Sequence, residues 1–325
     1  MEQSMNAPRL DLTRLNTAIQ RVKEEIGKVI VGQSQMIDLL LAAILADGHV
    51  LIEGVPGVAK TLTAKLLAKS IDVQFSRIQF TPDLMPSDVL GTSVFNPQNG
   101  SFSYKQGPIF SNIVLIDEIN RSPAKTQAAL FEVMEEKQIT FDGITYPMAK
   151  PFLVLATQNP IEQEGTYRLP EAQLDRFIFK IDVKYPTMAE EVKILQNTHE
   201  GKTTHFYDVV QQVLTADEIE NYREQISRLF IEPKVMEYIA QIVHETRNNK
   251  ALYLGASPRA SVAILKGGKA FAAMRGRDFV TPDDVIAIAP SVLRHRIILT
   301  PEKEMEGATA DEIIESIIKK IEVPR

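Results

Sequence analysis

The sequence contains no cysteine and no tryptophan among its 325 residues. The absence of cysteine excludes disulfide bonds, thiolate metal sites and a cysteine nucleophile, and it suits a reducing cytoplasm. A long apolar run is also missing, since the most apolar segment, Ile37–Ala46, is interrupted by Asp38 and is too short for a membrane span. That segment predicts a buried core helix, and the first residues lack the apolar region of a signal peptide. We therefore expect a cytoplasmic protein without membrane insertion.

Basic residues are not in excess either. The chain has 36 Lys and Arg against 42 Asp and Glu, which gives a net charge of −6. Proteins that follow a nucleic-acid backbone usually concentrate lysine and arginine on one surface. The acidic balance therefore disfavours a nucleic acid as partner, although local basic patches in loops stay compatible with it.

A candidate phosphate-binding loop follows the apolar run Val50–Ile52. It reads GVPGVAKT, and a strand, a glycine turn and Lys-Thr at the start of a helix together predict a polyphosphate site. Lys60 is predicted to contact the β- and γ-phosphates of ATP, and the Thr61 hydroxyl to ligate Mg²⁺. The alternative is a glycine turn without a ligand. The predicted nucleotide-binding residues here are Gly54, Val55, Pro56, Gly57, Val58, Ala59, Lys60, Thr61 and Leu62.

Ala59 stands where the general pattern G-x-x-x-x-G-K-[ST] has its second glycine. A methyl group is tolerated at this position if the residue has right-handed helical dihedrals. It is strained if φ must be positive. The backbone at Ala59 therefore decides whether the departure from the pattern has an energetic cost.

Five short, mostly β-branched apolar runs predict strands, with helical patterns between several of them. This alternation predicts an α/β fold with a five-stranded parallel sheet and helices on both faces. Two turn-rich stretches, Thr92–Tyr104 and Gln138–Met148, predict inserted hairpins. We favour a role in binding partners for both, and the alternative is a surface loop without a function. The predicted strands are Val50–Glu53, Arg77–Phe80, Ile113–Asp117, Phe152–Thr157 and Phe177–Val183.

Beyond Tyr185 the pattern becomes helical. Threonines that can cap helices recur, each with an acidic residue three positions later, and no comparable strand run follows Val183. We expect a helical lead-in over 1–29, an α/β nucleotide-binding domain over 30–185 and an all-helical lid domain over 186–325. The capping threonines are Thr187, Thr215, Thr281 and Thr309.

Polar side chains follow two of the predicted strands. Asp117 and Glu118 end the apolar run Ile113–Ile116, and ligands of open parallel sheets bind at this edge. Asp117 is predicted to hold Mg²⁺ through its water shell, and Glu118 to polarise the water that attacks the γ-phosphate. Asn159, after the next strand, is predicted to contact the γ-phosphate and the attacking water.

These motifs, in this order and with a helical lid, resemble the AAA+ ATPases. Longer phrases resemble the MoxR family within them and spread over Gly54–Ala260. Neighbouring segments fit the family too, so that the match covers nearly all of the chain. In that family the loop itself carries Ala-Lys-Thr, as at Ala59. The phrases are GVPGVAKT, QFTPDLMPSDVLG, DEINRSPAKTQAALFEVMEE, ATQNPIEQEGTYRLPEAQLDRF and GASPRA.

The resemblance implies roles for several arginines. Arg176 matches the arginine finger, which projects into the nucleotide site of a neighbouring subunit, and Arg168 is the second candidate. The alternative for Arg176 is an ordinary salt-bridging arginine before a strand. Arg121, just after the acidic pair, is a further candidate across the subunit interface.

Two more elements of the nucleotide site are implied in the same way. Arg259 matches the second sensor of the family. Independently of that resemblance, Ser257 as N-cap and Pro258 at the first helical position place Arg259 on the first turn of a helix. Ile30 and Val31 lie where the family binds the adenine base, although core packing explains both residues equally well.

The resemblance implies a homo-hexameric ring that hydrolyses ATP with Mg²⁺. It further implies chaperone-like remodelling, maturation or metal-cofactor insertion of a protein client, with a von Willebrand factor A domain protein as partner. Two alternatives stay open, a helicase-like nucleic-acid motor and a scaffold that binds ATP without hydrolysing it. The acidic balance disfavours the motor, and the intact Glu118, Asn159 and Arg176 disfavour the scaffold.

Overall fold

The computed structural model describes residues 10–98, 100–159, 167, 169–200 and 209–324. The chain forms two compact units. The sheet unit comprises residues 22–220, and the helical unit comprises residues 1–21 together with 221–325. These units divide the chain at other points than the expected bounds near residues 29 and 185, so the domain bounds stay a prediction.

The sheet unit contains the five-stranded parallel sheet that the alternating pattern predicted. Each expected strand forms, with its ends moved by no more than one or two residues. The strands of the unit are β1 (His49–Gly54), β2 (Phe75–Gln79), β3 (Gly91–Asn96), β4 (Ser101–Gln106), β5 (Ile113–Asp117), β6 (Gln138–Phe141), β7 (Ile144–Pro147), β8 (Leu153–Gln158) and β9 (Phe177–Val183). The sheet order is β2-β5-β8-β1-β9, and all neighbours are parallel.

Several helices of the sheet unit, among them the second and the third, bury apolar side chains next to the sheet. The segment expected to be a buried helix is α2, in which nine residues are buried. The helices are α1 (Thr13–Gly27), which begins in the helical unit, α2 (Ser34–Leu45), α3 (Lys60–Ser70), α4 (Pro86–Leu90), α5 (Ala124–Glu136), α6 (Glu171–Leu174), α7 (Met188–His199) and α8 (Ala216–Ser227), which ends in the helical unit, with a 3₁₀ turn at Ile119–Arg121.

One buried histidine ties three of these elements together. His49 at the start of β1 is 5% exposed, and its Nδ1 accepts the Val154 N–H of β8 at 3.0 Å. Its Nε2 lies 3.0 Å from the Met134 carbonyl of α5. Since Nδ1 is the acceptor, Nε2 carries the proton and donates to that carbonyl. The imidazole therefore fixes the spacing between α5 and the middle of the sheet.

Both predicted hairpins form, and aromatic rings join them. Strands β3 and β4 pair antiparallel, as do β6 and β7, whose turn at Asp142 and Gly143 has φ values of 50° and 77°. Tyr104 of β4 stacks on Phe141 with ring centroids 4.9 Å apart and lies 4.8 Å from the Tyr146 ring. The two hairpins are thus in direct contact, and their role in binding partners stays a prediction.

The helical unit differs from an all-helical lid in one detail, a two-stranded antiparallel ladder. Its strands have three and two residues, too few for an alternating pattern to be visible in the sequence. The further elements of the unit are α9 (Pro233–Asn248), β10 (Leu252–Leu254), α10 (Pro258–Met274), α11 (Pro282–Leu293), β11 (Ile298–Leu299), α12 (Pro301–Met305) and α13 (Ala310–Lys320). In the described part of the chain, no helix combines the length and the apolar character that a membrane crossing requires.

A buried carboxylate organises the start of α11. Asp284 is fully buried and accepts hydrogen bonds from Arg275 at 2.8 Å, from Arg277 at 2.6 and 2.7 Å, and from the Thr281 N–H at 3.0 Å. Burial would raise the pKa of Asp284, but the hydrogen bonds from Arg277 and Thr281 outweigh it and hold that pKa below its usual value. At the other three predicted caps, the threonine hydroxyl accepts the N–H of the acidic residue three positions later. These residues are Thr187, Thr215 and Thr309.

Candidate nucleotide site at the carboxyl edge of the sheet

The loop between β1 and α3 has the predicted strand, turn and helix layout. Strand β1 is buried except for the half-buried Glu53, and α3 begins at Lys60, so both ends of the loop are fixed. Gly57 has a φ of 85°, which favours glycine, and a side chain there would meet only open space. The first turn of α3 directs its N–H groups and its positive dipole end toward the loop. The backbone therefore has the layout that the sequence predicted, and the binding of a polyphosphate there stays a prediction.

Ala59 has a left-handed backbone, with φ 59° and ψ 21°. This is the strained case of the two that the sequence allowed, and it costs roughly 1–2 kcal/mol relative to a right-handed residue. The carbonyl of Ala59 accepts two hydrogen bonds, from the Thr63 N–H at 2.9 Å and from the Thr63 hydroxyl at 3.0 Å. Thr63 thus holds the strained residue in place at the start of α3.

Lys60 is held inside its own loop. Its ammonium donates a hydrogen bond to the Gly54 carbonyl at 2.6 Å. Burial lowers the pKa of Lys60, while the carboxylates of Asp117, Glu118 and Glu53 oppose that shift. The loop and the acidic pair are thus close enough to act on each other electrostatically.

Thr157 contacts both residues of the acidic pair at the end of β5, Asp117 and Glu118. This buried residue lies near the end of β8, next to β5 in the sheet. Its hydroxyl accepts the Glu118 N–H at 3.0 Å and donates to Asp117 Oδ1 at 3.2 Å. One hydroxyl therefore fixes both the backbone of Glu118 and the side chain of Asp117.

Glu118 also has a left-handed backbone, with φ 58° and ψ 52°. Its carboxylate accepts the Gln79 amide at 2.7 Å and lies 3.1 Å from Arg121 Nε in an ion pair. Strained non-glycine residues concentrate at functional sites, because the surrounding structure must hold them. The site holds Glu118 from both sides, through Gln79 of β2 and through the turn that carries Arg121.

Arg77 is a further partner of the acidic pair. Its Nε lies 2.5 Å from Asp117 Oδ2, and its Nη2 lies 3.4 Å from Gln79 Oε1. Sequence reasoning missed Arg77, Gln79 and Thr157 as site residues. Arg77 and Gln79 are two positions apart in a predicted strand and so share one face of it. That pairing of polar residues was the available signal.

Three further residues predicted for the site are Asn159, Arg176 and Arg168. Asn159 directly follows β8, at the same edge as the loop and the acidic pair. Arg176 directly precedes β9, which pairs in parallel with β1, so Arg176 lies at the opposite edge. Arg168 lies outside the described residues.

Arg176 contacts α5 of its own chain. Its guanidinium donates to the Phe131 carbonyl at 2.8 Å and lies 2.5 Å from the Glu135 carboxylate. The ion pair that the sequence offered as the ordinary alternative for Arg176 is therefore present. The side chain keeps 31% of its surface exposed. Its role as a finger stays a prediction.

The candidate adenine contacts lie in the segment before α2. Ile30 is buried and Val31 is half-buried. The next residues contact the chain after β9, since Gln33 donates to the Lys184 carbonyl at 3.2 Å. Arg259 lies in the helical unit on the first turn of α10, where its N–H donates to the Ser257 hydroxyl at 3.2 Å. The capping geometry expected for Arg259 is thus present, and its sensor role stays a prediction.

The oxygen ligands at this edge suit Mg²⁺ bound together with a nucleotide. Among the described residues, no group of three or more histidines and carboxylates could hold a metal ion without other ligands. Mg²⁺ keeps several waters and commonly binds through one or two protein oxygens and the substrate phosphates. The Thr61 hydroxyl and the Asp117 carboxylate are oxygens of this kind, and their role as Mg²⁺ ligands stays a prediction.

The chain is similar to AAA proteins over both units. A family model described as "ATPase family associated with various cellular activities (AAA)" matches residues 49–179, and an AAA lid domain model matches residues 244–317. The uncharacterized protein YeaC of Bacillus subtilis is 46% identical over 95% of this chain and 96% of its own length. Chaperone MoxR1 of Mycobacterium tuberculosis is 42% identical over 94% of this chain and 82% of its own length. The crystal structure of a candidate ATPase from Cytophaga hutchinsonii shares 44% identity and a TM-score of 0.89 over 97% of both chains.

Proposed function

Because the chain belongs to the MoxR family of AAA+ ATPases, we propose that it hydrolyses ATP with Mg²⁺ at the carboxyl edge of its sheet. The observation that carries the proposal is the acidic pair Asp117 and Glu118 at the end of β5, at the same edge of the sheet as the phosphate loop. The Thr157 hydroxyl holds the side chain of Asp117 and the backbone of Glu118 there. A cytoplasmic location belongs to the proposal and agrees with the absence of cysteine.

Each residue of the site has a role in this reaction. With a nucleotide bound, Lys60 would contact the β- and γ-phosphates, and Mg²⁺ would be held by the Thr61 hydroxyl and, through its water shell, by Asp117. Glu118 polarises the attacking water, with Asn159 at the neighbouring strand end as its partner on the γ-phosphate. Charge on the transferring phosphoryl group is thus met by cations, and the nucleophile by a carboxylate.

The Glu118→Gln variant tests the proposal. The amide keeps the shape of the side chain but cannot accept a proton, so ATP turnover is expected to fall by about 10² or more while nucleotide binding persists. Glu136→Gln is the matched control, since it removes an exposed carboxylate of α5 and is expected to leave turnover unchanged. Phosphate release and binding of a fluorescent nucleotide measure the two properties. Undiminished turnover in Glu118→Gln would contradict the assignment.

The same assay separates the alternatives. A wild-type protein that binds ATP without turnover, even in its assembled form, would indicate a nucleotide-gated scaffold. Turnover that rises with added DNA and falls steeply with salt would indicate a nucleic-acid motor. If the protein is an ATP hydrolase as proposed, turnover is expected without nucleic acid.

We further propose that the active form is a homo-hexameric ring in which Arg176 completes the site of a neighbouring subunit. Arg176 precedes β9, whereas the loop follows β1, so the two lie at opposite ends of paired parallel strands. With about 3.3 Å per residue, β9 alone spans roughly 20 Å. An arginine finger can contribute about 10³ or more to the rate. A lone subunit is therefore expected to hydrolyse ATP slowly.

Mixed rings test the trans arrangement. Arg176→Ala and Lys60→Ala subunits are each expected to be inactive, and mixing them restores some complete sites at mixed interfaces. Recovery of part of the turnover supports the finger. Mixed rings that assemble, as shown by mass measurement, but recover no activity would contradict it.

We also propose that hydrolysis remodels a protein client, as the name of Chaperone MoxR1 suggests for that relative. Maturation or metal-cofactor insertion are forms of this activity, and the family resemblance adds a partner with a von Willebrand factor A domain. The Glu118→Gln protein with ATP is expected to retain client and partner, and Lys60→Ala is the control that cannot hold the nucleotide. Equal recovery of proteins by both variants would argue against a nucleotide-dependent client.

A further inference from the structure

Two arginines contact the acidic pair, and they do so differently. Arg121 lies 3.1 Å from the Glu118 carboxylate and belongs to the turn just after it. Arg77 lies on β2, the outermost strand on one side of the sheet, and its Nε lies 2.5 Å from Asp117 Oδ2. Arg77 therefore acts on the carboxylate that is proposed to hold the metal, and Arg121 acts on the one proposed to polarise water.

The surroundings of Asp117 make this contact important. Its side chain is 12% exposed, while that of Arg77 is 51% exposed. The second oxygen of Asp117 is already hydrogen-bonded to the Thr157 hydroxyl. A largely buried carboxylate is costly without a partner, and an arginine stays charged at all physiological pH values. Arg77 thus supplies a cation at the carboxylate oxygen that faces it.

From this geometry we propose that Arg77 is a positioning residue that neutralises Asp117 when no Mg²⁺ is bound and competes with Mg²⁺ for it. The inference rests on the proposed nucleotide site and states how that site is regulated by magnesium. With Arg77 in place, the nucleotide phosphates meet less negative charge in the metal-free state. Mg²⁺ then gains less by entering, so Arg77 reduces the magnesium dependence of nucleotide binding.

The experiment measures how much Mg²⁺ strengthens the binding of a fluorescent ADP analogue to the full chain. The readout is the ratio of the dissociation constant in EDTA to that in Mg²⁺, which requires no turnover. Arg77→Gln is expected to raise this ratio about fivefold, the upper range for a partly exposed ion pair. Arg77→Lys keeps the charge and is expected to stay within about twofold of wild type. Arg228→Gln removes an exposed arginine of the helical unit that pairs with Glu224, and it is also expected to stay within about twofold.

A double-mutant cycle separates the charge effect from a structural one. In the Asp117→Asn background Arg77 has no carboxylate to neutralise, so Arg77→Gln is expected to leave the ratio unchanged. A ratio that stays constant or falls in Arg77→Gln alone would overturn the role of Arg77. If wild type does not bind the analogue, or Lys60→Ala binds it equally well, the nucleotide site itself is refuted and both proposals fall.

Discussion

The sheet unit and the helical unit differ in where they keep backbone strain. Of the described residues, seven non-glycine residues have a positive φ, and all seven lie in the sheet unit. In the helical unit the positive φ values belong to Gly276 and Gly307, which adopt them at little cost. The strained set includes Ala59 and Glu118, both at the candidate site. Strain is thus concentrated in the unit that carries the proposed chemistry.

The two units also treat buried aspartates differently. Asp284 of the helical unit has two arginines and a capping threonine as partners and no exposed surface. Asp117 of the sheet unit has one arginine, half of whose surface is exposed, and one hydroxyl. Similar ion pairs can therefore stabilise the fold in one place and leave a carboxylate available to a ligand in another.

Among the variants compared, removal of the Asp284 side chain, whose carboxylate has the larger number of partners, is expected to destabilise the fold most. Asp284→Ala leaves Arg275 and Arg277 without their partner and removes a helix cap, so we expect a loss of about 3 kcal/mol in the free energy of unfolding. Asp117→Ala is the counterpart in the sheet unit and is expected to cost no more than about 1 kcal/mol. Urea unfolding of both variants measures the difference. Equal losses would remove the contrast between the two aspartates.

A smaller effect is expected in the pH dependence of stability. The pKa of Asp284 is lower in the folded chain than in the unfolded chain, so its contribution is fully present above the usual aspartate pKa. As the pH falls through the lower, folded pKa, the contribution is lost. The stability difference between wild type and Asp284→Asn is therefore expected to shrink from pH 7 to pH 3. A difference that stays constant over this range would contradict the shifted pKa.

The smallest effect concerns the strained alanine. Ala59→Gly relieves a left-handed backbone but adds freedom to the unfolded chain, so we expect a net gain of about 0.5–1 kcal/mol. Gly276→Ala makes the opposite change in the helical unit at a φ of 74°, with no contact closer than 3.6 Å, and is expected to cost about 1 kcal/mol. Opposite signs in thermal or urea unfolding would support the comparison, and a loss from Ala59→Gly would contradict it.

Much of the fold could be predicted because its signals are local. Five apolar runs became the five strands, and the apolar segment Ile37–Ala46 became part of the buried helix α2. The loop and Asp117 were predictable because strand ends place residues at a known edge. The same reasoning put Asn159 at that edge.

Contacts across the sheet could not be predicted in this way. Arg77 and Asp117 are 40 positions apart, and only the neighbouring of β2 and β5 brings them together. The sequence indicated a strand at β2 but not which strand it would pair with. The backbone of Ala59 was open for a related reason, since the sequence allowed either a right-handed or a left-handed residue before α3. The ladder of β10 and β11 could not be predicted either, because strands of three and two residues are too short to show an alternating pattern.

The position of Arg176 has a consequence for symmetry. An interface that joins the edge bearing Arg176 of one copy to the edge bearing the loop of the next uses two different surfaces, so it is heterologous. Such contacts close into a ring when the rotation per step divides a full turn evenly, and they continue as a helical filament when it does not. In the proposed ring, the number of subunits would therefore be set by the angle between neighbouring copies rather than by any residue of the site. Substitutions that alter this angle are expected to change ring size, or to open the ring, without changing the chemistry at each site.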